Sequence, residues 1–395
     1  MMLHIEADLI TTLTGLARAG DLNDLQFLSH AERVTYIAFR LGQKLQLPQG
    51  DLEDLILSAL VHDLGISTTG EKLKLADLQP QQGMVSAHCR RGYELLKPTK
   101  LFGNLAKNVL EHHDYYKPDL RMIPAIIHLA DRLDMMIKKD RYYLWQKDDI
   151  LAYFRSKNGT IFHPDVVEAL ESLALIPSFW LDLQYGNYAP IQKELLSFRH
   201  MLTLDELEEI AHLVATIVDS KSPFTGTHSQ GVTRIAGFLG AAMGMSEHKV
   251  RLIRVAGLLH DIGKLAIPDE ILMHPGALDK KQRAVMKQHT YHTYYLIGSI
   301  GPGVQHIQRW AAYHHERLDG TGYPFALSAP DLEPEARLMA VADITQALLE
   351  SRPYRDGLSH ETVKRILRNN VDANHIDGEI TALAIQHLDE LSTLV

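Results

Sequence analysis

The sequence predicts an all-α protein built as two tandem helical bundles. Leu and Ala dominate the apolar residues while aromatics make up only 7% of the chain, which favours helices packed on helices. Strand-like alternation is scarce throughout, and apolar residues recur at helical spacing after each of two landmark histidines. His30 is followed by Val34, Ile37 and Leu41, and His228 by Val232, Ile235 and Leu239. Both sets follow i+4, i+7 and i+11, which is one face of a helix.

Those two stripes open an internal duplication. His62-Asp63 follows His30 by 32 residues, and His260-Asp261 follows His228 by the same 32. Next come His88 and His289, then the double histidines His112-His113 and His314-His315, and last Asp131 and Asp343, each preceded by Ala. Seven metal-capable side chains therefore recur in one order, which a chance match does not produce. The domains expected are residues 1–190 and 191–395. The joint falls near 184–202, where Gln184 to Pro190 reads as turn and loop. Leu204 to Val218 reads as the amphipathic helix opening the second domain, capped by Thr203 or Asp205.

The halves differ between the double histidine and the final aspartate. The second half spends 28 residues there and holds Asp319-Gly320-Thr321-Gly322-Tyr323-Pro324, whereas the first spends 18 and has no Gly-rich turn. Four residues after the histidine of each His-Asp pair, the first half has Ile66 and the second Lys264, which shares the face of His260 if the helix continues through Gly263.

Composition bounds the function. The chain of 395 residues is 46% hydrophobic and 23% charged, as in globular domains. A net charge of -9 without a basic run disfavours DNA or RNA as a partner. A single cysteine, Cys89, excludes an intrachain disulfide and fits a reducing compartment. Glu6 and Asp8 near the start, and no apolar run of membrane length, lead to the expectation of a cytoplasmic protein without a signal peptide or membrane contact.

Neutral imidazole and ionised carboxylate suit first-row divalent metals. His228, His260, Asp261, His289, His314, His315 and Asp343 are too many donors for one four-coordinate ion, and two ions sharing Asp261 would use them. The matching set His30, His62, Asp63, His88, His112, His113 and Asp131 is a second candidate metal site. A lone buried histidine is more often a hydrogen-bonded core residue, and His292 and His306 are read that way. Asp269, Asp279 and Asp356 are read as cap or loop residues.

The segments His260-Asp261-Ile262-Gly263-Lys264 and His314 through Pro324 resemble the HD-GYP family, a branch of the HD phosphohydrolase superfamily. Ile267 to Leu272, Pro275 to Leu278, and Ala342-Asp343 with Arg352-Pro353-Tyr354 support the likeness, which runs from about Leu202 to Asn370. The first half resembles the wider superfamily but not the GYP branch.

The resemblance implies an all-helical fold and an iron or manganese centre. It also implies hydrolysis of cyclic di-GMP to pGpG or GMP, with cyclic GMP-AMP as the alternative substrate. It carries the metal-ligand role onto the seven later positions and the substrate-phosphate contact onto Lys264. Trinuclear members place Glu four residues before the first ligand histidine. Phe224 stands there, so two metals are expected rather than three. The mechanism expected is attack of a metal-activated water on phosphorus, with Asp261 and Lys264 as catalytic residues. Arg317, Gly320, Gly322 and Tyr323 are candidate substrate contacts beside Lys264, with Tyr323 either stacking on a guanine or packing the loop.

Rival readings are an HD hydrolase of other nucleotides, a non-catalytic cyclic-dinucleotide sensor, and a helical scaffold. Candidate partners are a second copy of the chain, and a diguanylate cyclase or other signalling protein.

Overall fold

The computed structural model describes residues 4–21, 29–66, 68, 70–72, 82–188, 200–221, 228–351 and 357–395. Phe224, Arg352 to Tyr354, Asp356 and the stretch from Ala189 through Pro190 lie outside them. The chain divides into two compact units, Asp8–His200 and Met201–Val395, the latter joined by Met1–Ala7. The division thus falls about ten residues beyond the expected boundary at 190, and the first residues go with the second unit. There β1 (His4–Asp8) pairs with β2 (Met201–Thr203) in a two-stranded sheet, the sole β-ladder among the described residues. Everything else is helix and connection, as the low aromatic content predicts. No described helix is long and apolar enough to cross a membrane.

The first unit runs α1 (Leu9–Asp21), α2 (His30–Lys44), α3 (Gln49–Val61), α4 (Gln82–Leu96), α5 (Ala106–Glu111) and α6 (Met122–Met136). It continues with α7 (Lys147–Ser156), α8 (Pro164–Ala174) and α9 (Pro177–Tyr185). Val34, Ile37 and Leu41 are fully buried where α2 meets α3 and α6, as their spacing requires. Gln184 and Tyr185 still belong to α9. The turn comes only at Gly186, whose φ of 67° ends the helix in the left-handed region that glycine tolerates.

The second unit repeats the plan. It runs α10 (Leu204–Lys221), α11 (His228–Ala242) and α12 (Glu247–Leu259), then a 3-10 turn over Ile262–Ala266. Next come α13 (Asp269–Leu272), α14 (Lys280–Met286), α15 (Gln288–Gly298), α16 (Gln305–Ala312) and α17 (Pro334–Leu349). It closes with α18 (His360–Asp372), α19 (Gly378–Gln386) and α20 (Leu388–Ser392). Val232, Ile235 and Leu239 are fully buried, and α11 packs on α12 and α17 as α2 packs on α3 and α6. Thr203 caps α10 reciprocally with Glu206: Glu206 N–H donates to Thr203 Oγ1 (3.3 Å) and Thr203 N–H to Glu206 Oε2 (2.8 Å). Asp279 does the same with Gln282 at the start of α14.

One glycine in each unit lets two layers touch. A Cβ on Gly263 would lie 1.9 Å from the His289 carbonyl oxygen, and one on Gly65 would lie 2.0 Å from that of His88. Only glycine permits so close a backbone approach. The contact brings the helix carrying the third histidine against the His-Asp turn.

Candidate metal centre

The ends of the helices position the donors. His260 follows the last residue of α12, His314 lies just beyond α16, and His289 is the second residue of α15, hard on the end of α14. The final carbonyls of a helix have no intrahelical partner. Each of these imidazoles supplies one: Nδ1–H donates to Gly257 O (2.7 Å), Ala311 O (2.6 Å) and Met286 O (2.7 Å), respectively. That bond assigns the proton to Nδ1 and leaves Nε2 as a bare lone pair directed inward. The first unit does the same, His62 donating to Ala59 O (2.7 Å) and His112 to Val109 O (2.6 Å).

In the second unit the donors gather in two groups, His228 with His260 and Asp261, and His289 with His314 and His315. Within each group the ligand atoms lie within 4.8 Å of one another. Asp261 links the groups: Oδ2 faces His228 Nε2 (3.7 Å) and His260 Nε2 (3.3 Å), while Oδ1 faces His289 Nε2 (3.5 Å). Asp343 Oδ1 adds a second carboxylate, 3.3 Å from His228 Nε2 and 4.0 Å from His260 Nε2. All seven side chains singled out in this half of the sequence therefore converge.

A divalent cation fits this set. His260 Nε2 is fully buried without a hydrogen-bond partner, and His289 Nε2 and His314 Nε2 face each other at 3.4 Å, two lone pairs with no proton between them. Such a buried arrangement is unfavourable unless a positive charge satisfies it. Burial pushes the His289 imidazole down to about 3 against the pull of Asp261, so it stays neutral and ligand-ready. Burial also opposes ionisation of Asp261, yet His260 and Lys264 hold its carboxyl well below the usual range. These clusters supply donors of the right chemistry for a first-row divalent ion.

Two supporting side chains escaped the sequence reading. Gln346 Oε1 accepts from His228 Nδ1 at 2.5 Å, fixing its tautomer from one turn beyond Asp343. Glu316 is buried and its carboxylate accepts from Phe325 N–H (2.7 Å) and Leu327 N–H (3.0 Å), holding the Gly-rich loop by its far end. Neither belongs to a ligand pattern. The available signal for Gln346 was its i+3 position on the face of Asp343.

Lys264 does not share a helix face with His260. The α-helix does not continue through Gly263, because Thr293 Oγ1 donates to His260 O (2.9 Å) and accepts from Gly263 N–H (3.1 Å). The chain tightens into the 3-10 turn, and Lys264 Nζ donates to Asp261 Oδ2. It is therefore a half-buried partner of the central aspartate.

The loop residues also sort themselves. Tyr323 lies against His315, ring centroids 4.9 Å apart, with Lys287 Nζ 4.7 Å from its own centroid. These contacts favour packing over base stacking. A Cβ on Gly322 would lie 2.4 Å from Arg317 N, so this glycine serves the closure of the loop on its own stem. Gly320 takes a φ of 79°, and the exposed Arg317 is engaged by Thr321 Oγ1 (3.3 Å) and His375 Nε2 (3.4 Å).

The first unit builds a parallel centre. Asp63 Oδ2 lies 3.6 Å from His30 Nε2, and its Oδ1 lies 3.5 Å from His62 Nε2 and 3.9 Å from His88 Nε2. Asp131 reaches His30 Nε2 (3.4 Å) and His113 Nε2 (3.8 Å). Here His30 Nδ1 meets the carboxylate of Asp134 at 2.7 Å, which Arg33 grips through two nitrogens. Burial disfavours the charged imidazole, but Asp131 and Asp134 outweigh it and raise His30 to about 9. Ile66 brings no ammonium, as the sequence says. Yet Lys72, ten residues after His62, donates to Asp21 Oδ1 (2.7 Å) and stands 3.9 Å from Asp63 Oδ2. A lysine is thus present where the sequence reading found none.

Comparison with known proteins agrees with this picture. Residues 27–136 and residues 212–380 each match the HD domain family, and together these stretches span more than two thirds of the chain. The 3'3'-cGAMP-specific phosphodiesterase 1 of Vibrio cholerae serotype O1 is 29% identical over 94% of this chain and 90% of its own length. The cyclic di-GMP phosphodiesterase response regulator RpfG of Xanthomonas campestris pv. campestris is 37% identical over 42% of this chain and 44% of its own length. The crystal structure of a cyclic GMP-AMP specific phosphodiesterase of V. cholerae, V-cGAP3, superposes with a TM-score of 0.66 at 23% identity. It covers 97% of this chain and 98% of that one, a likeness of fold. The duplicated donor set, the two family matches and a relative matched nearly end to end show that the chain carries an HD domain in each unit and is homologous to the HD-GYP-type cyclic dinucleotide phosphodiesterases.

Proposed function

We propose that the protein is a metal-dependent phosphodiesterase that opens a 3'3'-cyclic dinucleotide at the centre of the second unit, with cyclic GMP-AMP the preferred substrate. The observation that carries the reaction class is the pair of donor groups joined by Asp261, with inward lone pairs on His260, His289 and His314. Cyclic di-GMP, placed first on sequence alone, becomes the second substrate. The relative named above that matches both units is specific for cyclic GMP-AMP, whereas RpfG matches less than half of the chain.

Two divalent ions, iron or manganese, would be held by His228, His260, Asp261, His289, His314, His315 and Asp343. When bound, they supply a water acidified enough to act as nucleophile on phosphorus near neutral pH. The chain's own residues do the rest. Asp261 turns one oxygen to each histidine group and stays ionised. Gln346 and the helix-end carbonyls hold the imidazoles in one tautomer. Lys264, half-buried at the rim of the cluster, can share its ammonium between Asp261 and an incoming phosphate, offsetting charge on the phosphate oxygens. Tyr323, covered by Lys287, lies against His315, and Glu316 keeps the loop closed behind it.

The test is a turnover assay of the full chain with manganese and with anaerobic ferrous iron, on cyclic GMP-AMP and cyclic di-GMP separately, read by chromatography. Linear dinucleotide should form from both, faster from cyclic GMP-AMP. Tight binding with neither substrate cleaved would instead make the protein a sensor.

A further inference from the structure

The first unit carries a donor that the second lacks. Cys89 follows His88 on α4, and its thiol is 3.6 Å from His88 Nε2 and 3.7 Å from His112 Nδ1. The position after the third histidine in the second unit is Thr290, whose hydroxyl donates instead to Lys287 O (3.1 Å). A buried cysteine is often just a small apolar residue. Here, however, the sulfur lies against two imidazoles of the candidate metal centre, with which it forms one compact donor group. His88 Nε2 and His112 Nε2 face each other at 3.3 Å, while His62 Nε2, fully buried, has no hydrogen-bond partner and its ring lies 5.4 Å from that of His112.

Two of the separations match one coordination shell, while the sulfur's 3.7 Å contact with His112 is to Nδ1, the nitrogen that donates to Val109 O. Metal–nitrogen bonds of about 2.0–2.1 Å and metal–sulfur bonds of about 2.3 Å at tetrahedral angles place two nitrogens roughly 3.3 Å apart and sulfur roughly 3.6 Å from nitrogen. The observed values are 3.3 Å between the two Nε2 atoms and 3.6 Å from Sγ to His88 Nε2. His88, Cys89 and His112 form one of the compact donor groups of this unit, in the place that His289, His314 and His315 take in the other.

We infer that the first unit holds a borderline-soft divalent ion, of the zinc or ferrous class, with Cys89 as a thiolate ligand beside His88 and His112. This centre is chemically distinct from the all-nitrogen-and-oxygen centre of the second unit. The thiol gives up its proton to solvent as the sulfur–metal bond forms. No electron transfer is involved.

Because Cys89 is the only cysteine in the chain, a sulfur signal has a single source. The full chain is stripped of metal, titrated with cobalt(II), and followed by near-ultraviolet absorption and by cobalt stoichiometry. The expected result is a thiolate-to-cobalt charge-transfer band that is lost in Cys89→Ser. His112→Ala should lose the band too, although its thiol is intact, and bind one ion fewer. Circular dichroism of both variants checks that they fold. Wild-type protein that binds cobalt in a His112-dependent way without the band would overturn the thiolate assignment. Stoichiometry unchanged in His112→Ala would overturn the site itself. Neither readout uses turnover, so failure here is distinguishable from failure of the proposed phosphodiesterase activity.

Discussion

The two units set the same seven donors around the same central aspartate but surround them differently. In the second unit the lysine at that aspartate comes from three residues on, within the 3-10 turn, and is half-buried at the rim. In the first it arrives from nine residues on as Lys72, buried and bonded to Asp21. The second unit backs its first histidine with the neutral amide of Gln346, the first with the carboxylate of Asp134 and its Arg33 partner. Only the second has the long loop tied down by Glu316, and only the first has a thiol among its donors. On the proposed function the rim lysine is placed to turn to substrate, whereas Lys72 is buried between two aspartates. The difference teaches that a ligand set is not yet an active site. What stands around it decides whether substrate can reach it.

That contrast can be broken most directly at the central aspartates. Asp261→Ala should abolish hydrolysis of the cyclic dinucleotide and lower metal content, while Asp63→Ala should keep most of the turnover. Equal losses in a chromatographic assay would mean that both centres are catalytic.

The lysines sharpen it further. Lys264→Ala should cost about 10²–10³ in kcat with metal content unchanged, the scale of a lost transition-state charge contact. Lys72→Ala should leave turnover in place but lower stability by about 3–5 kcal/mol, because it removes the charge partner of the buried Asp21 carboxylate. Urea unfolding measures the second and steady-state kinetics the first. A kinetic defect in Lys72→Ala with intact stability would reverse the assignment.

Smaller effects should follow from the supporting residues. Gln346→Ala removes the partner of His228 Nδ1 and should weaken metal binding in the second unit by about 10–100-fold in a competition titration with a chelator. Asp134→Asn should leave that titration of the second unit unmoved. Smallest is Gly322→Ala, which crowds the stem of the loop at Arg317 and should destabilise by about 1–3 kcal/mol in thermal unfolding. The first unit has no such loop to disturb.

Much of this was legible in the sequence because it is local or periodic. The stripes Val34-Ile37-Leu41 and Val232-Ile235-Leu239 mark core-facing helices, and all six residues are buried. The repeated order of seven side chains marks two related clusters, and in each unit those side chains lie together. Other features were not legible, for a physical reason. Lys72 stands nine residues after Asp63, a spacing that nothing in the second unit's pattern marks, and only the fold brings its ammonium to that carboxylate. The expected helix through Gly263 fails because Thr293, on a different helix, takes up the bonds that would have continued it. Cys89 reads as an ordinary core thiol until His112, 23 residues away, is placed beside it.

By itself the sequence determined the class of fold, the duplication and which imidazoles and carboxylates to look for together, since helical periodicity and ligand chemistry are properties of residues and their spacing. Only the tertiary structure decided which way each donor faces, which lysine meets which aspartate, and where a thiol joins the imidazoles. Those outcomes depend on contacts between segments far apart in the chain, and on helix ends whose unpaired carbonyls fix the imidazole tautomers once the helices have packed.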